Sequence, residues 1–234
     1  MADSVLVIAP HPDDESIGCG GAICLHHRRG DTVGVVFLTS GERGIDGIAP
    51  AEARAVREAE ATEALEVLGV GRRDFLRLPD LGVGDKLALA VERLRPVLEA
   101  HAPSVIYLPH PEDAHVDHQA ALPLIRSAMA DHSREAARPE LRLYEVWSPM
   151  AAYDWPEDIS PVFRQKLHAI RRYRSQLRRF RYDRAVQGLN RYRGCLAAGC
   201  SYAEVFRYAA PAAPGQVEGH VAPVNGSISS GGDR

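Results

Sequence analysis

The sequence predicts an α/β fold: a Rossmann-like, mostly parallel sheet with helices on both faces, followed by a C-terminal helical segment and a short strand. Three observations predict it. Up to Trp147, apolar runs of strand length alternate with helix-length stretches, the rhythm of a parallel sheet with crossover helices. The first run, residues 5–9, is apolar at every position, as a strand covered on both faces must be. Two clusters of ionisable residues each follow a predicted strand, at the strand ends where open α/β sheets bind ligands.

Residues 5–9 open the sheet. Residues 17–29 read as the first helix, entered through Gly18, Gly20 and Gly21, and residues 32–39 as the second strand. Residues 51–68 form a strongly helical stretch that Gly69 stops. A third strand over 74–78 and a third helix over 87–100 follow. Then come a fourth strand over 104–108, a helix over 117–131 and a fifth strand over 141–147. The later part differs, with two helices over 161–174 and 180–197 and a short strand over 203–208. From Pro211 onward Ala, Pro, Gly and Ser dominate. Residues 211–234 therefore read as a disordered tail on one domain spanning 1–210.

A chain of 234 residues suits one domain with a tail. Its 45% hydrophobic and 25% charged residues are ordinary for a soluble protein. A net charge of -3 and a pI near 6.4 argue against nucleic-acid binding by the chain as a whole. No apolar stretch approaches the roughly 20 residues of a transmembrane segment. Met1-Ala2-Asp3-Ser4 carries no basic leader, so a cytoplasmic protein is expected. The four cysteines, Cys19, Cys24, Cys195 and Cys200, form no Cys-x-x-Cys pair and read as small buried apolar residues.

The first cluster is His11-Pro12-Asp13-Asp14-Glu15, directly after the first strand and Pro10. An acidic run of this kind also suits a solvated turn entering a helix. The second cluster, His110 to His118, follows the fourth strand and contains His115-Val116-Asp117-His118. In a 3-2-1-4-5 strand order the two face each other across the point where the order reverses. Four ionisable groups at a strand end are costly to bury unpaired, and a divalent cation removes that cost. Catalytic zinc sites use three protein ligands; His11, Asp14 and His118 supply a His₂Asp set, and only one of His115 and His118 need touch metal. Asp13 and the spare histidine are then the groups required for acid–base hydrolysis.

Pro10-His11-Pro12-Asp13-Asp14-Glu15 and His115-Val116-Asp117-His118 resemble the two signatures of the LmbE/PIG-L family of zinc-dependent de-N-acetylases. Further blocks are similar to that family: Thr39 to Gly44 after the second strand, Arg57 and Glu60 in the second helix, and Leu78-Pro79-Asp80 after the third strand. Asp158 to Ser160, Lys166 to Ala169, Ser175-Gln176 and Tyr202 to Phe206 extend the resemblance from about Ser4 to Tyr208. The resemblance implies that His11, Asp14 and His118 bind Zn²⁺, with Fe²⁺ also suited to such a set. It implies that Asp13 is the general base, that protonated His115 stabilises the oxyanion, and that Asp117 orients His115 or favours its charged form. Arg57 and Asp80 would contact the substrate, and Glu15 would support the loop without a catalytic role. The implied reaction removes acetyl from an N-acetylglucosamine-type amino sugar on a small molecule. Two alternatives are an amidase acting on an amino-sugar thiol conjugate and a non-catalytic sugar- or nucleotide-binding module.

Other signals are weaker. Gly18-Cys19-Gly20-Gly21 lacks dinucleotide-fingerprint spacing and suits close packing of helix on strand. The arginine-rich stretch over 164–193 reads as a solvated helix face, which could also pack in a homo-oligomer, rather than as an anion patch. Tyr173, Leu177, Phe180, Tyr182 and Leu189 read as the apolar side of these helices rather than a sugar platform. His110 reads as a loop residue shaping the pocket wall.

Overall fold

Seven strands form one sheet in the order β3-β2-β1-β4-β5-β7-β6 in the computed structural model, which describes residues 2–130 and 138–210. The strands are β1 (Ser4–Ala9), β2 (Thr32–Thr39), β3 (Arg72–Leu78), β4 (Val105–Pro109), β5 (Glu140–Tyr144), β6 (Trp155–Asp158) and β7 (Ala203–Tyr208). The first five pair in parallel, in the 3-2-1-4-5 order the sequence predicts. β7 and β6 then add antiparallel strands. The expected tail, 211–234, and residue 131 at the predicted end of the fourth helix lie outside the described residues.

The uniform apolarity of β1 has a direct structural cause. Val5, Val7 and Ala9 pack into the core on one face, and Leu6 and Ile8 into the core on the other. The first face is covered by α1 (Asp14–Arg29), α2 (Pro50–Leu68) and α5 (Phe163–Ile170), and the second by α3 (Leu87–His101) and α4 (Val116–Met129). β1 pairs with β2 on one side and β4 on the other. The strand order reverses between β1 and β4, which brings the segments leaving their C-terminal ends together.

Helix α1 starts at Asp14, three residues before the predicted start, so Asp14 and Glu15 occupy its first turn. It kinks at Cys19, whose φ/ψ is −138°/22°. Glu204 on β7 accepts the N–H groups of Gly21 and Ala22 just past the kink, at 2.7 and 2.8 Å. Lys166 on α5 donates to the same carboxylate at 2.6 Å and to the carbonyl of Ile17 at 2.8 Å. A Cβ at Gly18 would stand 2.2 Å from the Tyr144 ring on β5, so the expected close packing of this helix on a strand depends on glycine.

Three expectations are corrected. β6 was not foreseen, because Trp155-Pro156-Glu157-Asp158 has turn-like composition; the strand exists through pairing with β7 at the sheet edge, where proline is tolerated. The two predicted C-terminal helices are shorter: α5, then a turn of helix α6 (Arg174–Leu177), then α7 (Tyr182–Arg193), which runs into a π-type turn over Gly194–Ala198. All four cysteines are free, and Cys19 and Cys24 are buried as expected, but Cys195 is exposed and Cys200 only partly covered. Among the described residues no helix is long and apolar enough to cross a membrane.

Candidate metal centre and active site

The two clusters meet. His11 leaves the end of β1, Asp14 begins α1, and His118 sits in the first turn of α4. His11 Nδ1 and His118 Nε2 each lie 3.1 Å from Asp14 Oδ2, and 3.4 Å from one another. Donors around one tetrahedral zinc ion, with bonds of about 2.0–2.1 Å, lie roughly 3.3–3.4 Å apart. The three atoms therefore already have the spacing of a ligand triad.

The charges agree. Burial alone would lower the His118 pKa, but the Asp14 and Asp113 carboxylates outweigh it and push His118 up to about 9. Burial likewise opposes charge on His11, yet Asp117, Asp14 and Asp80 hold its pKa well above the ordinary value. Burial opposes ionisation of Asp14 too, and the neighbouring His118 and His11 hold its carboxyl well below the usual range. The site thus stabilises positive charge between two imidazoles and a carboxylate, the place a divalent cation would take.

His11 and His118 are both backed by carboxylates. His11 Nε2 is 3.1 Å from Asp117 Oδ2 and 3.4 Å from Asp80 Oδ1. His118 Nδ1 is 3.0 Å from Asp113 Oδ1, in ion-pair range but turned away from a straight hydrogen bond. Such partners fix ring orientation and raise ligand basicity. Two other trios, His11 with His115 and His118, and His11 with Asp80 and Asp117, also converge within 4.8 Å. In the His11, Asp14, His118 set the three donor distances run from 3.1 to 3.4 Å. The Asp117 carboxylate is moreover occupied by the N–H groups of Leu81 and Val83, at 2.8 and 3.0 Å.

Asp13 stands beside this triad in a strained conformation, φ 134° and ψ −27°, at the N-terminus of α1. A non-glycine residue in that region marks a site where surrounding contacts override backbone preference. Burial raises its pKa to about 7, against the opposing pull of Arg57. Arg57 lies 3.3 Å from Asp13 and donates to the carbonyl of Pro12. It is buried, so it is not the solvated helix residue that its Glu neighbours suggest. The loop after β2 closes over it: a Cβ at Gly44 would stand 2.3 Å from Arg57 Nη1. Glu60, one turn on, accepts from the Ser175 N–H and hydroxyl at 2.8 and 2.6 Å. Glu15 is fully buried and accepts from the Asp13 N–H, Ser16 and Tyr173, the supporting place expected of it.

Asp117 meets His11 and His115 with different groups. Its carboxylate faces His11 and not His115; it is the Asp117 N–H that meets His115, donating to Nδ1 at 3.2 Å. That bond leaves the proton of a neutral His115 on Nε2. Burial, together with the charges of His11 and His118, lowers the His115 pKa, while the Asp14 and Asp117 carboxylates pull it the other way. Asp80 sits against His11 and accepts from the Arg43 N–H at 3.0 Å.

A profile of the family described as "PIG-L: GlcNAc-PI de-N-acetylase" matches residues 6–129, a span that holds both clusters. The chain belongs to the PIG-L family. A probable N-acetyl-alpha-D-glucosaminyl L-malate deacetylase 2 of Bacillus cereus is 30% identical over 187 residues, 75% of this chain and 84% of that one. The N,N'-diacetylchitobiose deacetylase of Pyrococcus horikoshii superposes with a TM-score of 0.77 at 25% identity, covering 88% of this chain and 83% of that one. GalB, the 4-carboxy-2-hydroxymuconate hydratase of Pseudomonas putida KT2440, superposes with a TM-score of 0.73 at 25% identity, covering 95% and 100%.

In this PIG-L chain the cluster opens into a cleft of about 370 Å³, lined by His11, Asp13, Asp14, Arg57, Asp80 and His115 and, farther out, by Arg43, Gln176, Arg179, Leu81, Trp147, Phe180 and Tyr182. Most of the arginine-rich stretch is a solvated, paired surface, as expected: Arg174 pairs with Glu63 and Arg181 with Asp183. Arg179 and Phe180 depart from that reading because they line the cleft, and Arg193 does because it is buried against Glu145. His110 is fixed by Ser148 and Glu112 away from the cleft lining. Asp113 is the principal residue the sequence reading missed. Its only signal is a place inside the second cluster.

Proposed function

We propose that this PIG-L chain is a zinc-dependent hydrolase that removes the acetyl group from an N-acetylglucosamine-type amino sugar on a small molecule. The carrying observation is the convergence of His11, Asp14 and His118, with Asp13 and its Arg57 partner alongside. Deacetylase relatives of GlcNAc-malate and diacetylchitobiose support the substrate class. Residues 1–210 act as one catalytic domain in this reading, supported by the single sheet that runs through to β7. Four unpaired cysteines support work in the cytoplasm.

His11, Asp14 and His118 would hold the metal, with Zn²⁺ fitting two imidazoles and a carboxylate and Fe²⁺ the alternative. The bound ion would supply Lewis acidity to the acetamide carbonyl and acidify the attacking water. Asp13 takes the proton from that water as oxygen attacks the carbonyl carbon, and delivers it to the leaving nitrogen as the C–N bond breaks. Arg57 keeps the Asp13 carboxylate aimed and partly ionised. His115 Nε2 donates to the carbonyl oxygen as negative charge develops there. Arg57 and Asp80 offer polar groups to the sugar. The products are acetate and a free amine.

The likeness to GalB supports a second reading, hydration of a carbon–carbon double bond. Products separate the two. Protein stripped of metal and then reloaded with zinc is incubated with N-acetylglucosamine glycosides, and acetate and amine are measured together. The deacetylase reading predicts equal amounts of both, only after reloading. Absence of both with the reloaded protein contradicts it.

A further inference from the structure

The deacetylase chemistry leaves one wall of the cleft unused. Its floor is polar and closed, with His11, Asp13, Asp14, Arg57 and Asp80 each less than a tenth exposed. Its mouth is open, and much of it is apolar: Leu81, Trp147 and Phe180 line it at 49%, 47% and 45% exposure, beside the exposed Arg43 and Arg179. Among the described residues only Val116, Tyr192, Leu196 and Tyr208 are comparably exposed large hydrophobics, and none of them lines this cleft.

Trp147 and Phe180 meet edge to face at 6.0 Å. Buried Tyr182 braces both: it lies nearly parallel to Phe180, 13° apart at 5.9 Å, and edge-on to Trp147 at 5.5 Å. The Arg179 guanidinium lies 5.3 Å from the Phe180 ring centre. The backbone N–H of Trp147 donates to Asp113 Oδ2 at 2.9 Å, and the other oxygen of that carboxylate stands 3.0 Å from His118. The backbone that carries Trp147 is thus tied to Asp113, the residue facing His118, while Tyr182 and Phe180 hold the ring.

We infer that Trp147 and Phe180 form a subsite for the group attached to the sugar, and that this group presents a flat, apolar ring. This rests on the deacetylase reading, which puts the acetamide at the floor and the sugar hydroxyls beside Arg57 and Asp80. The part of the substrate that reaches the open mouth is then the aglycone. Two half-exposed aromatic side chains held at a fixed angle reward a flat apolar partner, each by about a few-fold to tenfold in affinity. They give a methyl group little to cover.

The test compares kcat/KM for amine release from phenyl, methyl and N-acetylglucosaminyl glycosides of N-acetylglucosamine, with the zinc-loaded protein and its Trp147→Ala and Phe180→Ala variants. The phenyl glycoside is expected to exceed the other two by about tenfold, with the ratio to methyl falling to within about twofold in each variant. Equal values for phenyl and methyl, a preference for the sugar aglycone, or equal losses on all three in the variants overturn the subsite while leaving deacetylation intact. Inactivity on every glycoside overturns deacetylation instead. Binding of the phenyl and methyl glycosides, followed by Trp147 fluorescence, then decides the subsite alone. Tighter phenyl binding that is lost in Phe180→Ala supports it, and equal binding overturns it.

Discussion

Asp113 organises the centre without occupying it. Its carboxylate accepts the N–H groups of His115, Trp147 and Ser148 and faces His118. Asp113→Ala is expected to weaken metal binding by about 10–100-fold, measured by competition with a chelator; unchanged affinity would remove Asp113 from this role. His118 gives a pH prediction. Its pKa is raised to about 9 in the metal-free protein, so it stabilises that protein fully below about 6.5 and loses the contribution as pH rises through about 9. Metal must displace the same proton. Apparent metal affinity should therefore rise roughly tenfold per pH unit up to about pH 9 from this group alone. A flat profile between pH 6.5 and 8.5 would contradict it. The convergence of His11, Asp14 and His118 was legible because residue type and strand-end position both pointed to one place. The sequence could not tell which carboxylate backs which imidazole. Asp113 and Asp117 are both near His115 and His118 in sequence, and their spacing does not state that Asp117 turns to His11 while Asp113 faces His118.

At the scale of elements, α1 carries Asp14 at its start and is held past its kink by a distant strand. Glu204 and Lys166 are both buried and paired at 2.6 Å. Glu204→Gln leaves the Lys166 ammonium without its counter-charge and should cost about 3–5 kcal/mol of stability, read from urea unfolding. Lys166→Met combined with Glu204→Gln should recover part of that loss, because no buried charge is then left unpaired. A loss under about 1 kcal/mol in the single variant would show that the pair is not what holds the kink. The parallel elements were legible because their apolar runs need cover on both faces. β6 was not, since an edge strand containing Pro156 takes its identity from the partner strand. Nor was the short α6, whose place is set by the two hydrogen bonds from Ser175 to Glu60 on α2.

At the scale of the whole molecule, the 3-2-1-4-5 order does the assembling. Residues more than 100 positions apart converge because β1 and β4 are neighbours with parallel direction, and both send their following segments to the same edge. The mouth of the cleft was less legible. Trp147 follows β5 and Phe180 precedes α7, and nothing in either local pattern states that the two will share a wall. In the proposed reaction Asp13 moves the proton at a metal held by His11, Asp14 and His118. The most direct measurement is acetate release from an N-acetylglucosamine glycoside by zinc-loaded Asp13→Asn, alongside its metal content. About one metal per chain is expected, with a rate at least about 100-fold below the unsubstituted protein. Full activity with the metal retained, or loss of the metal itself, would contradict it.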